Sequence, residues 1–152
     1  MAKLKITSEW WTSPNEAENG KLIIVTGRKD MEAVKATGKF VNRIEVTWTY
    51  EPDANGMPDF DTSKLMEEIT DALNATFDKD PVAVMTGIFT GDGQRNWIFY
   101  TLSNNIFGRK FNEVLAPYEL LPISIYAELD PEWNQYAEMC ELAEVQCDDD
   151  ID

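Results

Sequence analysis

Three stretches of this sequence hold residues whose types and spacing could do chemistry. The first is Gly91-Asp92-Gly93-Gln94, two glycines around an aspartate between apolar runs. A phosphate-cradling loop has that composition, because glycines let backbone N–H groups close around an anion. The second runs from Glu51 to Asp61 and gathers Glu51, Asp53, Asn55, Asp59 and Asp61. It carries enough oxygen to ligate calcium or to supply carboxylate acid–base chemistry. The third is Cys140, with Cys147 seven residues further on, a nucleophile if a base or cation stands beside it.

Each stretch departs from what its chemistry needs. A phosphate loop joins a strand to a helix N-terminus, whereas Trp97, Ile98, Phe99 and Tyr100 follow here, a β-rich aromatic run. Gly91 and Gly93 therefore read as turn residues of a β-hairpin, with Asp92 and Arg95 at its tip as a polar turn or an ion pair. A calcium loop of the EF-hand type needs glycine at its sixth position. Counted from Asp53, that position is Pro58, so solvated turn acids are expected and no metal. The chain has no histidine, which removes the usual general base, the usual metal ligand and every Ser-His or Cys-His pair. Cys140 then reads as a small packing residue. On one helix it would lie roughly 10 Å from Cys147, too far for a disulfide. No cofactor is expected.

At 152 residues, 43% of them apolar, the chain suits one domain with a real core. A single domain over residues 1–147 is expected, with 148–152 as a frayed acidic tail. No window approaches the run of about 18 apolar residues that a membrane span needs, so a cytoplasmic protein with no membrane partner is expected. The net charge is −15, and residues 111–152 hold twelve acids with no Lys or Arg. Direct binding of nucleic acid, a polyanion, is not expected. The acidic end reads as a solvated helix face, or as a surface that docks a basic protein partner.

The elements that must position these residues follow from periodicity. "EWWTSPNEAENGKLIIVTGR" reads as a hairpin turning at Asn19-Gly20, and a helical turn is expected within 29–39. Residues 40–50 alternate: Phe40, Ile44, Val46, Trp48 and Tyr50 on one face, with Asn42 the exception, and Val41, Arg43, Glu45, Thr47 and Thr49 on the other. A helix starting near Asp61 or Ser63 buries Leu65, Met66, Ile69, Leu73 and Phe77. The strands around "GDGQ" come next, and then a helix capped by Ser103. "PISIYAEL" alternates again, with Ile123, Ile125, Ala127 and Leu129 on its apolar side. Asp130-Pro131 reads as the N-cap and first residue of a closing helix with Trp133, Tyr136, Ala137, Cys140 and Ala143 as its stripe.

From residue 40 the order strand, helix, strand, strand, helix, strand predicts an α+β fold with a ferredoxin-like split βαβ core (βαββαβ), an added N-terminal β-hairpin and a C-terminal helix. Arg43, Glu45, Thr47, Tyr126 and Glu128 would then project from the sheet face opposite the two core helices, the candidate binding surface. Val82, Val84 and Ile88 alternate with Ala83, Met85 and Phe89, so the central strand is apolar on both faces and needs cover on both. The cover could be the N-terminal segment, the C-terminal helix, a second copy in a homodimer, or another protein.

"GIFTGDGQRNWIFYTLSN" and "ELDPEWNQYAEM" resemble motifs of domain-of-unknown-function family 695, a bacterial family. The first carries a Gly-rich turn before a W/F-x-F-Y strand, the second a D-P-E-W-x-x-Y ending. The resemblance spans the Trp10-Trp11 region to about Met139 and implies no catalytic set. Some relatives are fused to a domain similar to the protein inhibitor of ribonuclease E, which implies regulation through protein contact. The expected function is a non-catalytic binding or regulatory module acting through protein contacts. The alternative is a histidine-free hydrolase or metal-dependent enzyme using clustered carboxylates.

Overall fold

The structure, a computed structural model, describes residues 9–16, 20–118 and 121–151, with side chains described as far as residue 142. These residues form β1 (Trp10–Glu16), β2 (Leu22–Arg28), α1 (Glu32–Ala36), β3 (Asn42–Thr49), α2 (Phe60–Lys79), β4 (Ala83–Gly91), β5 (Gln94–Thr101), α3 (Asn104–Leu115), β6 (Ile123–Leu129) and α4 (Asn134–Ile151). The fold is α+β. Six strands make one sheet in the order β1-β2-β4-β5-β3-β6, and every neighbouring pair is antiparallel. Asn19 lies outside the described residues, while Gly20 has φ +82°. The tail at 148–151 falls within α4, and its side chains and residue 152 are outside the described part.

The core sits between the sheet and α2 with α3. Ile44, Val46 and Trp48 from β3 and Trp97 and Phe99 from β5 meet Met66, Ile69, Leu73 and Phe77 of α2 and Phe107 and Phe111 of α3. Phe107 stacks on Phe77 and meets Phe99 edge-on, with ring centroids 5.4 and 4.8 Å apart. Asp59, rather than Asp61 or Ser63, caps α2: its carboxylate accepts from the Thr62 N–H at 2.7 Å. Several residues of "DFDTS" can cap, and the helix starts after the earliest of them. Ser103 caps α3 as expected, accepting from Ile106 N–H.

The opposite face is not bare of helices. Val34 from α1 and Met31 just before it, with Phe40 and Trp133, pack on Val84, Ile98 and Tyr100. Cover for this face of the central strand therefore comes from within the chain. Phe40 precedes β3 and joins this second cluster, instead of sharing a face with Ile44. The faces of β4 also change places along its length. A bulge between Met85 and Gly87 shifts the register, so Val84 and Phe89 lie on one face and Met85 and Ile88 on the other.

Strand β6 differs from its expectation too. Its apolar side faces the helices, but the strand closes the sheet and reaches beyond α3, leaving Ile125 50% and Leu129 74% exposed. Helix α4 begins at Asn134, three residues later than the start at Pro131 that Asp-Pro suggests, and Trp133 precedes it with φ +57°. Met139 is buried, Tyr136 packs on the second cluster and Cys140 is half-buried, while Ala137 is exposed and the Ala143 side chain is outside the described part. Gly87 leaves the room that Met139 occupies, because a Cβ there would collide with the Met139 sulfur.

Candidate binding face

The residues singled out from the alternation of two distant strands do share one face. Pairing of β3 with β6 sets Arg43 opposite Glu128, Glu45 opposite Tyr126 and Thr47 opposite Ser124. On the other side of β3, the same three residues neighbour Tyr100, Ile98 and Asn96 of β5. The period-two pleat then turns all of these side chains the same way.

Arg43 is the hub. Its Nε and Nη2 both donate to Glu128 Oε2 at 2.7 Å, and Nη1 donates to Glu45 Oε1 at 3.2 Å. Its guanidinium lies 5.9 Å from the Tyr126 ring centroid, within cation–π reach. The Tyr126 hydroxyl donates to the other Glu128 oxygen at 3.2 Å. Burial disfavours the Arg43 charge, but its hydrogen bonds to Glu128 and Glu45, with their negative charges, outweigh it and raise the Arg43 pKa. Thr47 stands apart from this group and donates to Asn96 Oδ1 at 2.7 Å.

Beside Glu45 a cleft of about 430 Å³ opens between the sheet and α4. Phe89, Ile98, Met139 and Leu142 give it apolar walls, and Glu45 and Glu138 give it negative charge. Gln135 also lines it, with a buried side-chain oxygen that has no hydrogen-bond partner. The arrangement offers acceptors and apolar surface, which suits a cationic or donor-rich contact more than an anion.

The other candidates do not assemble. Asp53 Oδ1 accepts from the backbone N–H groups of Asn55 and Met57 at 2.8 and 2.9 Å, so it shapes its own turn. Among the described residues, no three of His, Cys, Asp and Glu gather as a metal site. Asp92 and Arg95 separate at the hairpin tip. Asp92 lies 3.6 Å from Lys21, while Arg95 turns inward to Thr90 and Glu67. The tip itself is a two-residue turn with Asp92 and Gly93 at φ +53° and +84°, the left-handed pair that tight hairpins use.

Sequence reasoning missed a buried joint next to the face. The Tyr100 hydroxyl donates to Asp130 Oδ2 at 2.7 Å, and the Asp130 carboxylate also accepts from the N–H groups of Asn134 and Gln135. Trp133 stacks on Tyr100 with centroids 4.1 Å apart and donates from Nε1 to the Phe40 carbonyl. Tyr136 donates to the Arg28 carbonyl at 2.6 Å. Burial and the Asp130 hydrogen bond both raise the Tyr100 pKa, keeping the phenol neutral. The signal was present in the two motifs quoted above, since Tyr100, Asp130, Trp133 and Tyr136 are their residues.

Both motifs thus meet in three dimensions, and a family model of unknown function, DUF695, matches residues 9–140. The chain belongs to DUF695. No curated protein and no solved structure matches it. In this member of DUF695 the aromatic and acidic motif residues fasten α4 to the sheet. No helix among the described residues is long and apolar enough to cross a membrane.

Proposed function

We propose that this DUF695 chain is a non-catalytic binding or regulatory module that docks a basic protein on the face formed by β3, β5 and β6. The observation that carries the reading is the combination beside Arg43. Its charge is already engaged by Glu128 and Glu45, and the adjoining cleft presents Glu45, Glu138 and the unpartnered Gln135 oxygen over apolar walls. Lysine and arginine side chains of a partner fit such a surface, with their stems on the apolar wall and their heads on the acceptors. The test is capture of partners by the purified chain beside a Glu45→Lys, Tyr126→Ala variant at low and high salt. A stoichiometric basic partner lost in the variant and in high salt is expected. The same weak background on both baits would remove the reading.

We also infer that the core is the ferredoxin-like split βαβ arrangement. The order β6-β3-β5-β4 supports it, with α2 linking β3 to β4 and α3 linking β5 to β6, each across one intervening strand. Cross-strand amide contacts measured by NMR test this. Direct contacts between β3 and β4 would sink it.

A further inference from the structure

The two edges of the sheet are unequally protected. At one end β1 carries Pro14, which has no N–H to offer a further strand. At the other end β6, "ISIYAEL", has no proline and no lysine, and no described strand pairs with its outer side. An unprotected edge is a template for another strand.

The hydrogen bonds to β3 fix which groups of β6 are free to pair. Thr49 N–H donates to the Pro122 carbonyl and Asp130 N–H donates to the Val41 carbonyl. In the observed register these are hydrogen-bonded pairs, so Ser124, Tyr126 and Glu128 point their backbone groups at β3. Ile125, Ala127 and Leu129 point theirs outward. Their side chains lie on the helix side, next to a groove of about 390 Å³ lined by Phe111, Leu115, Leu121, Ile123 and Ile125.

We propose that β6 pairs antiparallel with β6 of a second copy, about a two-fold axis at Tyr126. This register lets the outward backbone groups of Ile125 bond those of Ala127 in the other copy, in both directions. It sets Leu129, 74% exposed, across from the other copy's Ile123, so each Leu129 enters the other's groove. On the opposite side Glu128 meets a Ser124 hydroxyl. The two Glu128 carboxylates stand four residues apart along the pair, about 13 Å, beyond the screening length in physiological salt. Each apolar or polar position thus meets its own kind, which is the self-complementarity that an isologous contact requires. The binding face proposed above stays open and becomes twice as wide, so the dimer does not depend on that reading.

The test is sedimentation equilibrium of the wild-type chain over a wide concentration range, at low and high salt. The expected result is an equilibrium between 17.3 kDa and twice that mass. Salt should tighten it, because each copy carries −15 and screening weakens their repulsion. Ala127→Pro removes an outward N–H and Leu129→Lys places a charge in the groove. Each should weaken dimerisation about tenfold or more with an unchanged circular dichroism spectrum. A wild-type monomer at every concentration would overturn the proposal and leave the edge to a foreign strand. A dimer that survives both substitutions, or that dissolves in salt, would overturn it by placing the contact elsewhere. Loss of basic-partner binding with an intact dimer would strike only the proposed function.

Discussion

Glu128 and Asp130 are two residues apart, and each takes a hydrogen bond from a tyrosine hydroxyl, yet they do different work. Asp130 is 7% exposed and holds Tyr100 together with the first N–H groups of α4. Glu128 has a side chain 40% exposed and holds Arg43 and Tyr126 on an open face. A buried acceptor serving three donors cannot be replaced cheaply, since water does not reach the groups it leaves behind. An exposed one can, because solvent takes its place. Similar chemistry therefore fixes the fold at one position and dresses a surface at the other.

The sharpest way to break this contrast is at Trp133, whose ring is buried in the joint beside Tyr100. It is 1% exposed, stacks on Tyr100 and has a left-handed backbone. Trp133→Ala should cost about 4 kcal/mol of stability, the range for emptying a buried aromatic site, measured by denaturant unfolding. A cost below about 1 kcal/mol, the size of an exposed substitution, would show that the joint does not hold α4.

Asp130→Ala comes next, at about 3 kcal/mol, from a lost helix cap and a buried charged hydrogen bond. Its pH dependence separates the two regions further. Burial opposes the Asp130 charge, but the Tyr100 hydroxyl, the Gln135 and Asn134 N–H groups and Arg43 together lower its pKa. A lowered folded pKa means that its contribution is fully present above the unfolded value, about 3.9, and fades as pH falls through the folded one. The stability gap between wild type and Asp130→Asn should therefore be constant near neutrality and shrink below about pH 4. A gap that does not change with pH would mean the carboxylate charge is not what Tyr100 and α4 respond to.

Much of the exposed region was legible in the sequence, and little of the buried joint was. Alternation in residues 42–49 and 123–129 needs only the pleat to bring Arg43, Glu45, Tyr126 and Glu128 to one face, and the register did the rest. The joint has no such local signature. Asp-Pro reads as the start of a helix by its own chemistry, but burying Trp133 on Tyr100 demands a left-handed residue first, and that demand comes from β5, some thirty residues away. The bulge at Thr86 and the inward turn of Arg95 are likewise settled by neighbours across the sheet. Arg28 also goes unannounced. It is 1% exposed, bonded to Asp78 and the Met85 carbonyl and lying over Trp10, contacts that a run reading "VTGR" does not foreshadow.

A smaller effect tests the contrast at the close approach of α4. Gly87 sits under Met139, and an added methyl would displace the flexible thioether. Gly87→Ala should cost about 1–3 kcal/mol, the usual range for overpacking, and should alter the cleft beside Glu45 without touching Arg43.

The smallest effect is expected at Glu128 itself. Glu128→Gln keeps the shape and removes the charge facing Arg43, whose other carboxylate partner, Glu45, remains 3.2 Å away. Arg43 is buried but Glu128 is open to solvent, and a pair screened on one side contributes about 1 kcal/mol, so unfolding should shift by about that. A double-mutant cycle with Arg43→Met isolates the pair, because each single change also removes packing and desolvation terms that cancel in the cycle. A coupling above about 2 kcal/mol would place Glu128 with the buried, fold-holding groups. A coupling near zero would leave the Arg43 row as surface, held in shape by the strands and free to exchange its internal partners for those of another protein.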